Sequence, residues 1–205
     1  MAIFLIRHAQ SEANIQLKTS SHAGIQLSQL GQQQAENLYH QLPYLHHVMS
    51  SKFARAQQTA EPLVKAYDLE LQTNEDIQEF NYLAASKWMN TDFKQRKYWV
   101  EQYWQKMDPD YKDADEAESF AEFYTRVRHF HEHLKHLILH YRRKNLAIVT
   151  HGQFLLLLTM LMENPQPCSQ ALMCEFRQNF IKQPIANTQI ITLEIEQVVH
   201  LPHAV

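Results

Sequence analysis

Ala2-Ile3-Phe4-Leu5-Ile6-Arg7-His8-Ala9-Gln10 is an apolar run that ends in an arginine and a histidine side by side. So short a run of Ile, Phe and Leu reads as a buried strand, and open α/β sheets bind ligands beyond the carboxyl ends of their strands. Arg7 and His8 are therefore candidate site residues delivered together. An isolated Arg-His pair would carry little weight, so the reading depends on what other strands deliver.

A second strand-like segment, Leu45 to Met49, leads into Ser50-Ser51-Lys52-Phe53-Ala54-Arg55-Ala56-Gln57-Gln58-Thr59-Ala60. Serines precede an Ala- and Gln-rich helical stretch here, and Ser50 or Ser51 is expected to cap it. A third segment, Leu146-Ala147-Ile148-Val149-Thr150, ends in His151-Gly152 and a helical run from Gln153. These three strand ends present Arg7, His8, Arg55 and His151. Asn187 to Val199 alternates Ile190, Thr192 and Glu194 with Ile191, Leu193 and Ile195, which suits a strand completing the sheet. Phe154 to Met162 is the most hydrophobic stretch, yet its nine residues fall short of the roughly 20 that a bilayer requires. It reads as a buried helix behind His151, stopped by Pro165 and Pro167.

In order, these elements resemble the histidine phosphatase superfamily, the group with a phosphoglycerate mutase-like fold. The family pattern is Arg-His-Gly near the N-terminus, Arg-Ala-x-Gln-Thr-Ala, an acidic residue, and a late His-Gly. The chain reads Arg7-His8-Ala9, Arg55-Ala56-Gln57-Gln58-Thr59-Ala60, Glu79 and His151-Gly152. Asn14, the Leu27-Ser28-Gln29-Leu30-Gly31 turn before a Gln-rich helix, and the Glu118-Ser119 pair before a long helix add to the match. The resemblance implies an α/β fold: a three-layer sandwich with a mostly parallel central sheet, helices on both faces and a small helical cap. It implies one domain over residues 1–205 with the cap inserted at about 80–124, the segment that holds Trp88, Trp99 and Trp104. Those aromatics are expected chiefly to pack the cap on the core.

Phosphoryl transfer asks a protein mainly to position the group and to stabilise charge on its equatorial oxygens. Guanidinium forks suit that task, which makes Arg7 and Arg55 natural phosphate clamps. A nucleophilic imidazole must be neutral, with one nitrogen donating and the other free to attack. By resemblance His8 becomes phosphohistidine, His151 donates to a phosphoryl oxygen, and Gly152 lets backbone approach the ligand. The leaving oxygen needs an acid. Glu79 is the choice, with Glu75 and Asp76 as competitors, because flanking Ile77 and Phe80 favour a raised pKa. Asn14 either helps hold the phosphate or shapes its loop.

The chain departs from the pattern in three places. Ala9 stands where glycine is usual and requires ordinary backbone angles there. Gln153 follows His-Gly where some relatives have a small residue, narrowing the phosphate site or adding an amide donor. Phe80-Asn81-Tyr82 follows Glu79 in place of a Gly-containing sequence.

Composition sets wider limits. A net charge of −3 over 205 residues argues against broad nucleic-acid binding. Cys168 and Cys174 show no metal or redox spacing, and Arg7 and His8 interrupt the N-terminal apolar run, so a cytoplasmic location is expected. Three glycines, Gly24, Gly31 and Gly152, cannot form a dinucleotide fingerprint or a phosphate-binding Walker loop. His129, His131, His133, His136 and His140 lie on a long helix from Ser119 to Tyr141, beside an apolar stripe of Phe130, Leu134, Leu137, Ile138 and Tyr141. With no carboxylate or cysteine closing a site, they read as an amphipathic helix face, and neither a metal nor a cofactor is expected.

The leading expectation is a metal-independent phosphoric monoester hydrolase of the histidine acid phosphatase kind, acting on a small phosphorylated substrate or a phosphoprotein, with no nucleic-acid or membrane partner. The alternatives are phosphoglycerate mutase-type transfer, against which the chain lacks an Arg-Arg pair before Arg142-Arg143, and a non-catalytic module that binds phosphate or phosphoprotein.

Overall fold

A computed structural model describes residues 2–15, 21–141 and 144–194. Five strands form one sheet in the order β3-β2-β4-β1-β5: β1 Ala2–Arg7, β2 His47–Ser50, β3 Leu71–Thr73, β4 Leu146–Thr150 and β5 Ile190–Glu194. The first four pair in parallel, and β5 pairs antiparallel with β1. The expected C-terminal strand is thus present over Ile190–Glu194, and its continuation to Val199 lies outside the described residues.

Strand β4 is buried along its whole length, which explains why it reads as an unbroken apolar run rather than an alternation. Its two faces meet different layers. Ile3, Leu5, Leu146 and Ile148 pack with the helices α4 Phe120–His140, α5 Gly152–Glu163 and α6 Gln170–Lys182. Phe4, Ile6, Ala147 and Val149 pack with Leu38, Ala56, Ala60 and Leu63 on the other side, where α1 Gln29–Asn37 and α2 Ala54–Tyr67 lie. The result is three layers, with the sheet between two sets of helices.

Local signals set most element boundaries. Ser28 caps α1 by accepting from Gly31 N at 3.0 Å, and Ser119 opens α4 in a reciprocal capping box with Glu122. The cap of α2 differs from expectation. Phe53 occupies its N-cap with no side-chain bond, because Ser50 Oγ donates to Ser51 O and Ser51 Oγ turns to His151.

The segment between β3 and α4 contains α3, Phe93–Lys106, started by an Asp92 capping box with Gln95. Tyr103 and Trp104 of α3 are buried with Phe80, Tyr82, Phe120, Phe123 and Phe176, so these aromatics serve packing. Trp99 is partly buried against the same cluster, while Trp88 stacks on His22. On α4 the stripe Phe130, Leu134, Leu137, Ile138 and Tyr141 is buried. Among its histidines, His131 is buried as well, whereas His129 is exposed and bonds Asp76 Oδ2 at 3.0 Å. No group of three or more His, Cys, Asp or Glu side chains among the described residues is placed to hold a metal. No helix among them is long and apolar enough to cross a membrane.

Gly31 sets the approach of α1 to the loop that follows His8. A Cβ there would lie 1.9 Å from the Gln10 carbonyl oxygen, a backbone atom that cannot swing aside. Gly31→Ala is expected to cost about 1–3 kcal/mol or more. The check is the urea midpoint at unchanged slope, and a wild-type midpoint would contradict this packing.

Candidate active site

The carboxyl ends of β1 and β4 are neighbours, with Arg7 paired to Thr150 and His8 N donating to Thr150 O at 2.8 Å. This register brings His8 and His151 face to edge, their ring centroids 5.1 Å apart. The N-terminus of α2 supplies Arg55 from beyond β2. Thr59, one turn further along α2, accepts from Ala9 N at 3.0 Å and fixes the backbone after His8.

Both ring nitrogens of His8 are engaged. Nδ1 lies 2.7 Å from Ala9 O, an acceptor, so Nδ1 carries the proton. Arg55 Nε donates to Nε2 at 3.1 Å, which requires a lone pair there. The ring is almost fully buried, and this desolvation, reinforced by the charges of Arg55 and Arg7, holds its pKa well below the ordinary histidine value. His8 is a neutral imidazole with its basic nitrogen pointing at a guanidinium. Ala9 is fully buried and does not adopt positive φ, so the alanine in place of glycine imposes no strain.

His151 is fully buried, and burial followed by the Arg55 charge keeps it neutral too. Ser51 Oγ accepts from Phe53 N at 3.3 Å and lies 2.6 Å from His151 Nε2. We assign the Ser51 hydroxyl as donor to Nε2, which places the ring proton on Nδ1, a buried atom with no hydrogen-bond partner among the described residues.

Arg7 Nη1 donates to Ile185 O, and the guanidinium lies against Gly152, where a Cβ would come within 3.2 Å of Arg7 Nε. A side chain at position 152 would press on Arg7 and ask it to give by a few tenths of an ångström. Arg55 is buried and pulled down to about 10 by desolvation, Glu79 acting in the opposite direction, so it remains a cation at neutral pH. Its Nη1 donates to the carbonyl of His22 at 2.8 Å.

Glu79 sits over the N-terminus of α5. It accepts from Phe80 N at 3.0 Å and from Gln153 N and Phe154 N at 3.3 Å each. Desolvation raises its pKa, opposed first by Arg55 and then by these backbone donors. Glu79 is half-buried, which moderates that rise. The competing acids point elsewhere: Glu75 pairs with Lys52 on the surface and Asp76 with His129. Asn14 is exposed, and its Oδ1 accepts from Ser11 N at 2.9 Å and Ser11 Oγ at 3.0 Å, which shapes the loop after His8. Gln153 is buried beside Gly152 with its backbone N–H on Glu79 and its Oε1 unpartnered among the described residues.

Three neighbours have site contacts that the sequence does not mark. Ser51 was read as a cap and instead bonds His151. Asn187 donates to His8 O at 2.9 Å from the turn before β5. His22 stacks on Trp88, with centroids 4.2 Å apart and planes at 9°, while its carbonyl holds Arg55. None of the three lies in a charged or catalytic motif that would have marked it.

His8, His22 and His151 are all held neutral by burial, whereas in the unfolded chain they titrate near 6.5. The unfolded state therefore binds more protons below that pH, and stability present above it is lost as pH falls. Each histidine contributes a slope of about 1.4 kcal/mol per pH unit once its unfolded form is protonated. The raised Glu79 takes up a proton in the folded state and offsets part of this loss. Urea midpoints from about pH 7.5 to about pH 5 should fall with a net uptake on unfolding of more than one proton. A flat profile would contradict the neutral assignment.

Similarity to known proteins bears on this geometry. The family model described as histidine phosphatase superfamily (branch 1) matches residues 3–197. The adenosylcobalamin/alpha-ribazole phosphatase of Escherichia coli K12 is 29% identical over 95% of this chain and 99% of its own length. Among solved structures, the alpha-ribazole phosphatase of Shigella flexneri superposes with a TM-score of 0.71 at 24% identity, covering 97% of this chain and 92% of its own. A phosphoserine phosphatase of Entamoeba histolytica superposes with a TM-score of 0.66 at 22% identity over 95% of this chain and 91% of its own. The strand-end histidines and arginines thus sit in a fold and a sequence frame shared across nearly the whole chain, which belongs to the histidine phosphatase superfamily, branch 1.

Proposed function

We propose that the protein hydrolyses phosphate monoesters through a phosphoryl group carried transiently on His8. The observation that carries the reading is the state of that ring: neutral, protonated at Nδ1 by the Ala9 bond, and basic at Nε2 between cationic side chains. The superfamily match supports phosphatase chemistry through histidine and does not extend to the acid-phosphatase kind.

In this scheme the ester phosphate enters between Arg7, Arg55 and His151. Arg55 Nε leaves His8 Nε2 for a phosphoryl oxygen, which frees the lone pair at the moment a substrate is present. The Nε2–P bond forms as the P–O bond to the leaving group breaks. Arg7 and Arg55 spread the equatorial charge, and the His151 Nδ1 proton supplies a further donor. Asn14, whose oxygen is held by Ser11, offers its amide nitrogen, and Gly152 leaves room for the Arg7 guanidinium. Glu79, whose carboxyl desolvation shifts toward the protonated form, gives its proton to the leaving oxygen. The resulting carboxylate takes a proton from water as that water attacks phosphorus, the P–N bond breaks, and phosphate and neutral His8 are restored.

A small phosphorylated substrate fits the relative matched across nearly the whole chain, and α-ribazole phosphate is the first compound to test. Charge stabilisation rests on guanidinium and imidazole groups, so turnover is expected to withstand EDTA.

Hydrolysis of p-nitrophenyl phosphate in EDTA should vanish in His8→Ala. In kcat/KM, which reports the steps up to loss of the leaving group, Glu79→Gln should lose about 10²–10⁴-fold on an alkyl phosphate and much less on the nitrophenyl ester, whose leaving oxygen needs little protonation. Equal losses in kcat/KM on both esters would remove Glu79 from the acid role. With 3-phosphoglycerate, phosphate should appear without 2-phosphoglycerate, whereas formation of the isomer would favour a mutase. Turnover no greater than that of His8→Ala would leave a binding module.

A further inference from the structure

His22 lies outside every motif and touches the centre of the site. Its carbonyl accepts from Arg55 Nη1 at 2.8 Å, and its Nε2 lies 3.5 Å from Arg55 Nη2. Its Nδ1 lies 3.0 Å from Asn81 Oδ1, an acceptor, so the ring proton sits on Nδ1 and the Nε2 lone pair faces the guanidinium. The ring is fixed on both sides, stacked on Trp88 and edge-on to Phe53 at 5.1 Å. The next residue is held as well, because Ala54 N at the start of α2 donates to Ala23 O at 3.0 Å.

Asn81 is the second half of the device. Its backbone O accepts from Glu118 N at 2.9 Å, and its N approaches Glu118 Oε2 at 3.4 Å. The Glu118 carboxylate is gripped at both oxygens by Arg126, each at 2.8 Å. Arg126 Nη1 in turn donates to Asp76 O at 2.8 Å and Gln78 O at 2.9 Å. Glu79 lies between these anchored points. A continuous hydrogen-bonded path therefore runs from the Glu79 loop through Asn81 and His22 to Arg55, and from Arg55 to His8 Nε2.

We infer that His22 is a positioning residue: it aims the Arg55 guanidinium at His8 and ties it to the loop that carries Glu79. The inference rests on the phosphatase reading for its kinetic consequences and on the site geometry alone for its effect on anion binding. A misplacement of about 1 Å in such a group costs up to about 10²-fold in rate.

The test compares His22→Ala, His22→Asn, Asn81→Ala and the double variant His22→Ala/Asn81→Ala. The readouts are kcat and KM on p-nitrophenyl phosphate, the Kd of vanadate, and the thermal midpoint. His22→Ala and Asn81→Ala should each lower kcat/KM by about 10- to 100-fold and weaken vanadate binding. The double variant should be no worse than the worse single one, since both break the same path. His22→Asn, whose amide keeps a donor near the place of Nδ1, should restore most of the loss. Wild-type kinetics and vanadate affinity in a folded His22→Ala would overturn the inference, as would multiplicative losses or no rescue by asparagine. If His22→Ala does not fold, Asn81→Ala and His22→Asn carry the same comparison. Wild-type protein without His8-dependent turnover would overturn the phosphatase reading instead, and vanadate affinity across the variants would still decide the role of His22.

Discussion

The two hydrogen bonds on the His8 ring, Nδ1 to Ala9 O and Arg55 Nε to Nε2, are the constraint on which the site depends. An imidazole in water exchanges tautomers and protonates near pH 6.5. Burial between two arginines removes the charged form, and the Ala9 carbonyl removes one of the two neutral forms. What remains is one tautomer with one lone pair. Burying such a group beside cations costs stability, which the fold tolerates because the same cations suit an anionic ligand.

The sheet register makes this arrangement possible. Apolar side chains along β1 and β4 alternate between two helical layers, and the pairing of Arg7 with Thr150 leaves His8 and His151 just past the last paired residues. His8 N still bonds Thr150 O, but the carbonyl of His8 and the amides that open α5 are no longer consumed by the ladder. The His8 carbonyl takes Asn187, and the start of α5 directs its first N–H groups at Glu79. A carboxyl held by helix N-terminal donors and two guanidiniums would ordinarily be a strong carboxylate, yet desolvation outweighs them and raises its pKa.

Those parts of the architecture written as unbroken apolar runs followed by charged residues were legible in the sequence. Ile3 to Ile6 and Leu146 to Val149 admit few readings other than buried strands, and Arg7, His8 and His151 stand where such strands must stop. The order of Arg55 and the late His-Gly added the family resemblance. Flanking Ile77 and Phe80 favour Glu79 over Glu75 and Asp76 in the sequence, while the fuller distinction lies in what each meets: backbone N–H groups of α5, Lys52 or His129. Ser51 reads locally as a helix cap, and only the third dimension shows the His151 ring competing for its hydroxyl. His22 and Asn81 belong to irregular segments with no period, and their pairing across 59 positions leaves no local trace.

Trapping the phosphoenzyme tests the central claim most directly. Rapid quenching of enzyme mixed with a labelled phosphomonoester, followed by proteolysis and mapping, should find an acid-labile, alkali-stable phosphoryl group on His8, formed before product and absent from His8→Ala. Undiminished turnover by His8→Ala, or label carried on another residue, would contradict the account.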